Sequence, residues 1–280
     1  MGYKTISVSL NDIAANTKLM EITAEIARKF RAHVNGIYVI PAPQVYPNGG
    51  ADIVPIIMDY NQVYFRDRAK QVQSDFVARM QADDLTHTFV EIVSSFSAIA
   101  SDMIRSSQIS DLVICNTVDD ETTTGIESDF VESLLISTGR PLLVIPKQFS
   151  AAVNFDKIVV GWNDSHESAR AVFDALPVLK LASEVHFTVV DPQKMDDRNA
   201  KWAGADICET MARHGIKASA DSYPTNGGDP GSALLEHAKD LGAGLIVMGA
   251  YGHSRLREFI LGGATRTILA AMDIPVLLSH

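Results

Sequence analysis

The sequence predicts an α/β protein in which a mostly parallel sheet, covered by helices on both faces, is built twice along the chain. Three observations predict it: an internal repeat, an alternation of strand and helix patterns within each copy, and strands that read as unbroken apolar runs. Such runs belong to sheets buried on both faces. The repeat is read first, because it decides the number of domains. Ile6 to Asp12, "ISVSLND", resembles Ile158 to Asp164, "IVVGWND", at an offset of 152. Val34 to Pro41, "VNGIYVIP", resembles Val185 to Pro192, "VHFTVVDP", at 151. Asp111 to Cys115 resembles Leu245 to Gly249 at 134, and Arg140 to Val144 resembles Ile274 to Leu278 at the same 134. The offset falls because the first copy carries a longer insert around Pro43 to Pro55, a proline-rich stretch with Gly49-Gly50 and hence of loop composition. The boundary lies near Pro146 to Asn154, which sets domains at 1–148 and 153–280.

In the second copy Lys157–Trp162 is a short β-branched strand. Ser165 to Leu181 carries Ala169, Val172, Phe173, Leu176 and Leu179 at helical spacing. Glu184–Val190 reads as a strand, Ala200–His214 as a helix and Lys217–Tyr223 as a strand. Asp229-Pro230 starts a helix, with Asp as N-cap and Pro at the first helical position, and Gly242 stops it after Leu241. Leu245–Met248 is a buried strand, Gly263–Met272 a helix, and Pro275–Leu278 the last strand. In such sheets ligands sit beyond the carboxyl ends of the strands.

Composition bounds the chemistry. The 280 residues are 46% hydrophobic and 21% charged, an ordinary globular balance. The net charge of −10 disfavours binding to nucleic acid or an anionic membrane surface. Cys115 and Cys208 are far apart, which argues against a disulfide framework or a cysteine zinc site and for a reducing, cytoplasmic home. Met1 to Leu10 reads as a strand, not a signal peptide. No apolar run reaches the roughly 18–20 residues of a membrane helix.

No Walker loop, nucleophile elbow, H-E-x-x-H or EF-hand loop occurs. The histidines, His166, His214 and His237 on helices among them, show no metal-ligand spacing and read as solvated or cap-bonded. No nucleophile–base pair is evident, and no metal ligand set. One constellation stands out. After Leu245–Met248 come Gly249 and Gly252, then nine residues, then Gly262-Gly263-Ala264-Thr265 at a helix start. Glycines at a strand end let backbone N–H groups approach a ligand closely. The next helix supplies unpaired N–H donors and a positive dipole end. Together they suit polyphosphate. His253, Arg255 and Arg257 lie between the glycine pairs and Arg266 follows, so Gly249 to Ile268 carries a charge of +2. The plainer reading is that these glycines only shape a turn and a tight helix entry.

This G-x-x-G-x9-G spacing, with Val247 to Phe259 "VMGAYGHSRLREF" and Leu261 to Arg266 "LGGATR", resembles the nucleotide-binding signature of the universal stress protein family, ATP-binding type. The resemblance covers both halves and is of a kind typical of bacterial members, as a tandem (UspA-like) pair. It implies a Rossmann-like unit of five mostly parallel strands, order 3-2-1-4-5, and ATP with Mg²⁺ between the end of strand one and the loop after strand four. AMP or another adenylate would fit the same site. The implied binding residues are Asn163, Ser165, Val190, Gly249, Gly252, His253, Arg255, Gly262, Gly263, Ala264 and Thr265. Asn163 stands where the family has an acidic residue, with Asn11 in the first copy, and keeps an acceptor while losing the charge. Gly263 stands where the family has Ser or Thr, so Thr265 is the nearest hydroxyl. The resemblance also implies pairing of the last strands across a two-fold axis, hence an intramolecular pseudo-dimer or a homodimer.

The first copy departs from this pattern. At the offset of 134, Gly249, Gly252, Gly262 and Gly263 fall on Cys115, Val118, Ser128 and Asp129. Cys115 to Leu134 carries six acidic residues and no lysine or arginine. One like-charge pair at ~4 Å costs about 1 kcal/mol even in water, so a triphosphate is repelled. The acidic loop would suit a cation or, more plainly, solvent. The expectation is therefore a stress-response regulator that binds one adenine nucleotide in its second half and acts through a protein partner. The alternatives are a slow ATPase, with turnover not above about 1 s⁻¹, and an interaction module without ligand.

Overall fold

The computed structural model describes residues 2–42, 54–95, 99–118, 126–191, 204–250 and 263–280. They divide into two compact units, Tyr3–Arg140 and Pro141–His280. The first contains β1 (Thr5–Ser9), α1 (Asn16–Phe30), β2 (His33–Ile40), α2 (Val54–Ala82), β3 (His87–Val93), α3 (Ile99–Ser107), β4 (Leu112–Asn116) and α4 (Phe130–Ser137). Its strands run parallel in the order β3-β2-β1-β4. Helix α1 forms because its apolar residues recur every three or four positions. It buries Leu19, Ile22 and Ile26 in one stripe and ends at Arg31 in the left-handed region (φ 51°).

The second unit contains β5 (Leu142–Ile145), β6 (Lys157–Gly161), α5 (His166–Asp174), α6 (Leu176–Leu179), β7 (Glu184–Val190), α7 (Ala205–Arg213), β8 (Ala218–Tyr223), α8 (Pro230–Leu241), β9 (Leu245–Gly249), α9 (Gly263–Ala271) and β10 (Val276–Ser279). The order is β5-β10-β9-β6-β7-β8, parallel throughout except that β5 runs antiparallel to β10. The two units thus share the α/β architecture and the strand order around their first strands. Strand β5 ends the first repeat in sequence, yet it packs with the second unit. Its Leu143 lies opposite Leu277, and the two apolar edges cover each other.

Local chemistry explains most element ends. Asp229 caps α8: its carboxylate accepts the Ser232 N–H at 3.0 Å, Pro230 occupies the first turn, and Gly242 closes the helix at φ 64°. The single helix expected over Ser165 to Leu181 is instead α5 followed by the short α6. Pro177 lies in the first turn of α6 and has no N–H to continue the α5 ladder, so a new turn starts after Ala175. Helix α7 starts at Ala205 behind Gly204 (φ 84°), where a side chain would be strained. The earlier part of the helix expected from Ala200 lies outside the described residues. Both cysteines are free thiols. Among the described residues no helix is long and apolar enough to cross a membrane, and no group of His, Cys, Asp and Glu is placed to hold a metal ion.

Candidate functional site

In the second unit, register brings the expected positions to one end of the sheet. Gly161 on β6 lies beside Thr188 on β7 and Met248 on β9. Asn163, Val190 and Gly249 therefore sit one or two residues beyond, at the carboxyl ends of adjacent parallel strands, where ligands bind in open α/β sheets.

Each of these ends is held by identifiable contacts. Ser165 opens α5 with a reciprocal cap: its Oγ accepts the Ser168 N–H at 3.1 Å, and the Ser168 Oγ accepts the Ser165 N–H at 3.1 Å. Asn163 is exposed, and its Oδ1 accepts from the Ser165 N–H at 3.3 Å. Asp164 between them is left-handed (φ 58°), which a short polar residue tolerates. Val190 ends β7. The next residue, Asp191, is buried and left-handed (φ 48°). Its carboxylate accepts the Thr225 N–H at 2.8 Å and the Thr225 hydroxyl at 2.6 Å, and its own N–H donates to the Tyr223 carbonyl. This clamp fixes the end of β7 against the β8 side and leaves Val190 facing the other way. The Trp162 N–H donates to the Thr188 carbonyl at 2.9 Å. Backbone groups alternate sides along a strand, so the N–H and C=O of Val190, two residues on, face β6 as well. There they point past Gly161, the last residue of β6.

Gly249 owes its glycine to packing as well as to any ligand. A Cβ there would overlap the Glu167 carbonyl and the Ser168 amide, the first turn of α5. Gly263 and Ala264 open α9, and Thr265 is buried in that first turn. Gly231 at the start of α8 packs on Ala264, whose carbonyl would lie 2.5 Å from a Cβ, so the N-termini of α8 and α9 adjoin. Among the described residues, a Cβ on Gly263 would meet nothing nearer than the Asp229 carboxylate at 3.6 Å. Gly252, His253, Arg255 and Gly262 lie outside the described residues.

The first unit has the same frame with its corresponding places filled. The Leu10 N–H donates to the Ile37 carbonyl at 2.9 Å, matching Trp162 and Thr188. Val39 then corresponds to Val190. Here, however, the Asn11 carboxamide lies on Val39. Its Nδ2 donates to the Val39 carbonyl at 2.6 Å and its Oδ1 accepts the Val39 N–H at 3.0 Å. Where the second unit has Ala264, Phe130 opens α4 and is buried. It lines a cleft of about 10 Å³, together with Ser9, Asp12, Cys115 and Asn116, which is room for about one water. Burial pushes the Cys115 thiol far up, with the Glu132 carboxylate adding to the effect, so it is an inert filler in the place of Gly249. Neither the Asn11 clamp nor the Phe130 plug was foreseen from sequence. The signal available was the Asn11/Asn163 identity, which by itself suggests equal roles.

Residues 154–280 match the model of the universal stress protein family. The chain is 26% identical over 148 residues to universal stress protein Slr1230 of Synechocystis, which is 52% of this chain and 49% of that protein. It is 39% identical over 51 residues to stress response protein NhaX of Bacillus subtilis, 18% of this chain and 31% of that protein. The matched stretches thus span about half of these relatives or less. The crystal structure of a universal stress protein from Archaeoglobus fulgidus has the same fold, with a TM-score of 0.76 and 16% identity over 98% of this chain and 95% of that one. That likeness extends the α/β fold of the universal stress protein domain to both units.

Proposed function

We propose that the chain is a tandem universal stress protein whose second domain, residues 153–280, binds one adenine nucleotide and whose first, residues 1–148, binds none. One observation carries this reading: among the described residues, the same backbone edge meets no partner at Val190 and is satisfied internally at Val39. The Asn11 carboxamide shows what that edge takes, a donor beside an acceptor in one plane. Adenine presents the same pair, its N6 amino group beside the N1 acceptor, whereas guanine presents an acceptor beside a donor and would oppose like with like. The phosphates would then lie toward Gly263 and Ala264 at the start of α9. There the helix dipole and the positive Gly249–Ile268 segment favour an anion. ATP with Mg²⁺, or AMP, fits the reading equally. In this reading the chain is a stress-response regulator that acts through an unknown protein partner, with the bound nucleotide as the signal; the family match of residues 154–280 supports the stress-response part.

Replacing Val190 with Pro tests the edge. It removes the N–H that would read the base, at the end of a strand where that N–H has no neighbouring strand to bond. Calorimetry is expected to show one ATP or AMP site per chain in the wild type and at least a tenfold loss of affinity in Val190→Pro, with unchanged circular dichroism. Two equivalent sites per chain, or full affinity in the variant, would contradict the reading.

A further inference from the structure

The contact between Asn11 and Val39 has the form of ligand recognition. Asn11 is 4% exposed, and both polar ends of its side chain are spent on a single backbone residue two strand positions beyond the last β1–β2 register pair. The amide orientation is dictated by its partners, since only Nδ2 can meet a carbonyl and only Oδ1 an N–H. The contact adds nothing to the ladder between β1 and β2, which ends at Ser9 paired with Ile37. In the second unit the equivalent Asn163 is exposed and, among the described residues, bonds its own helix entry.

We propose that Val39 is a second, latent base-reading edge and that Asn11 is its resident occupant, so that the N-terminal domain is permanently self-filled. The chemical class it would take is a planar group with a donor beside an acceptor, a primary amide or the amidine edge of adenine, without phosphate. Phe130 is buried where the second unit has Ala264, and the six acidic residues in the sequence from Cys115 to Leu134, with no lysine or arginine, repel a phosphate chain. A side chain held on its own strand competes as an intramolecular ligand, and a free base at millimolar concentration does not displace it. The chain would therefore respond to nucleotide through one domain while the other stays in its occupied arrangement. The inference rests on the reading of Val190 as a base edge.

The test uses the full chain and the variant Asn11→Gly, with Asn11→Ala as a second variant should the glycine not fold. Acetamide has the size and groups of the deleted side chain, and adenosine is the base probe. Both variants are expected to lose several degrees in Tm. Acetamide should restore part of that loss while leaving the wild type and Asn163→Gly unmoved. Adenosine binding should rise from one equivalent per chain in the wild type to two in the variant. A folded variant that keeps the wild-type adenosine stoichiometry, or that gains no more from acetamide than the wild type, overturns the proposal. A wild type that binds no adenosine refutes the Val190 reading instead, and the gain of a site in Asn11→Gly would still stand by itself.

Discussion

Two glycines of the second unit, Gly249 and Gly263, look alike in the motif and differ in what surrounds them. A side chain at Gly249 would run into the backbone of α5, which cannot yield without moving the helix entry, whereas Gly263 has ordinary space around it. Gly249→Ala should therefore cost about 2–4 kcal/mol through overpacking against backbone, while Gly263→Ala should change stability by less than about 1 kcal/mol. Urea unfolding of the two variants separates them, and equal losses would show that the close approach at Gly249 is relieved by a shift of α5. If Gly263 matters for a ligand, its alanine variant should lose nucleotide while keeping its stability, a combination that Gly249→Ala cannot show. The same distinction applies to Asn11 and Asn163. They are identical in type and repeat position, and their roles are separated by a turn at Asp164 and by what lies within reach of each amide.

At the scale of the element, helix entries carry much of the polar chemistry. Helices α5 and α8 are capped by Ser165 and Asp229, their immediate neighbours in sequence. Helix α3 is served from a distance: the Glu127 carboxylate, 28 residues away, accepts the Ile99 N–H. Burial raises the pKa of Glu127 more than the backbone hydrogen bonds at Ile99 and Ala100 lower it, and Glu132 on α4 is likewise raised by burial. A carboxyl whose pKa is higher in the folded than in the unfolded chain binds its proton more tightly when folded. Its contribution to stability is fully present below the unfolded value of about 4.3 and is lost as pH rises through the folded value. Wild type should therefore gain stability relative to Glu127→Gln as pH falls from 7 toward 4.5, since the glutamine has no proton to take up. Urea midpoints for the pair across that range measure the difference, and a gap that is flat or moves the other way would contradict the burial argument.

For the molecule as a whole, the consequential feature is where β5 goes. Its Leu142, Leu143 and Val144 are buried, and they align antiparallel with β10 inside the second unit. A C-terminal piece that starts at Pro141 retains this cover over β10. One that starts at Phe149 exposes an apolar edge whose unpaired N–H and C=O groups invite a second chain. Residues 141–280 are expected to unfold cooperatively and to associate less than residues 149–280, which also lose the cover over β10. Sedimentation of both fragments compares them, and a monomeric, equally stable 149–280 would show that β10 needs no partner.

How much of this was legible beforehand follows from the range of the forces involved. The repeat, the buried parallel strands, the capped helix at Asp229-Pro230 and the stop at Gly242 could all be read from residues within a few positions of one another, because hydrophobic periodicity and capping act locally. The Gly249 to Thr265 motif was legible for the same reason; of it, Gly249 ends β9 and Gly263 to Thr265 open α9, while residues 251–262 lie outside the described residues. Contacts between distant residues were not legible. The division of one helix into α5 and α6 had a local cause in Pro177 that periodicity outweighed. Two features depended on tertiary packing alone: Asn11 reaching Val39 across 28 residues, and Phe130 lining the cleft beside Cys115. The alignment of β5 with β10 is the exception, since the family resemblance implied that the last strands pair. Sequence by itself determined that two copies of one α/β unit would form and which of them carries the paired glycines after its fourth strand. Only the tertiary structure decided which of the two strand-end backbone edges, Val39 or Val190, is met by a side chain among the described residues, because that depends on whether a side chain from another strand is within hydrogen-bonding distance of it.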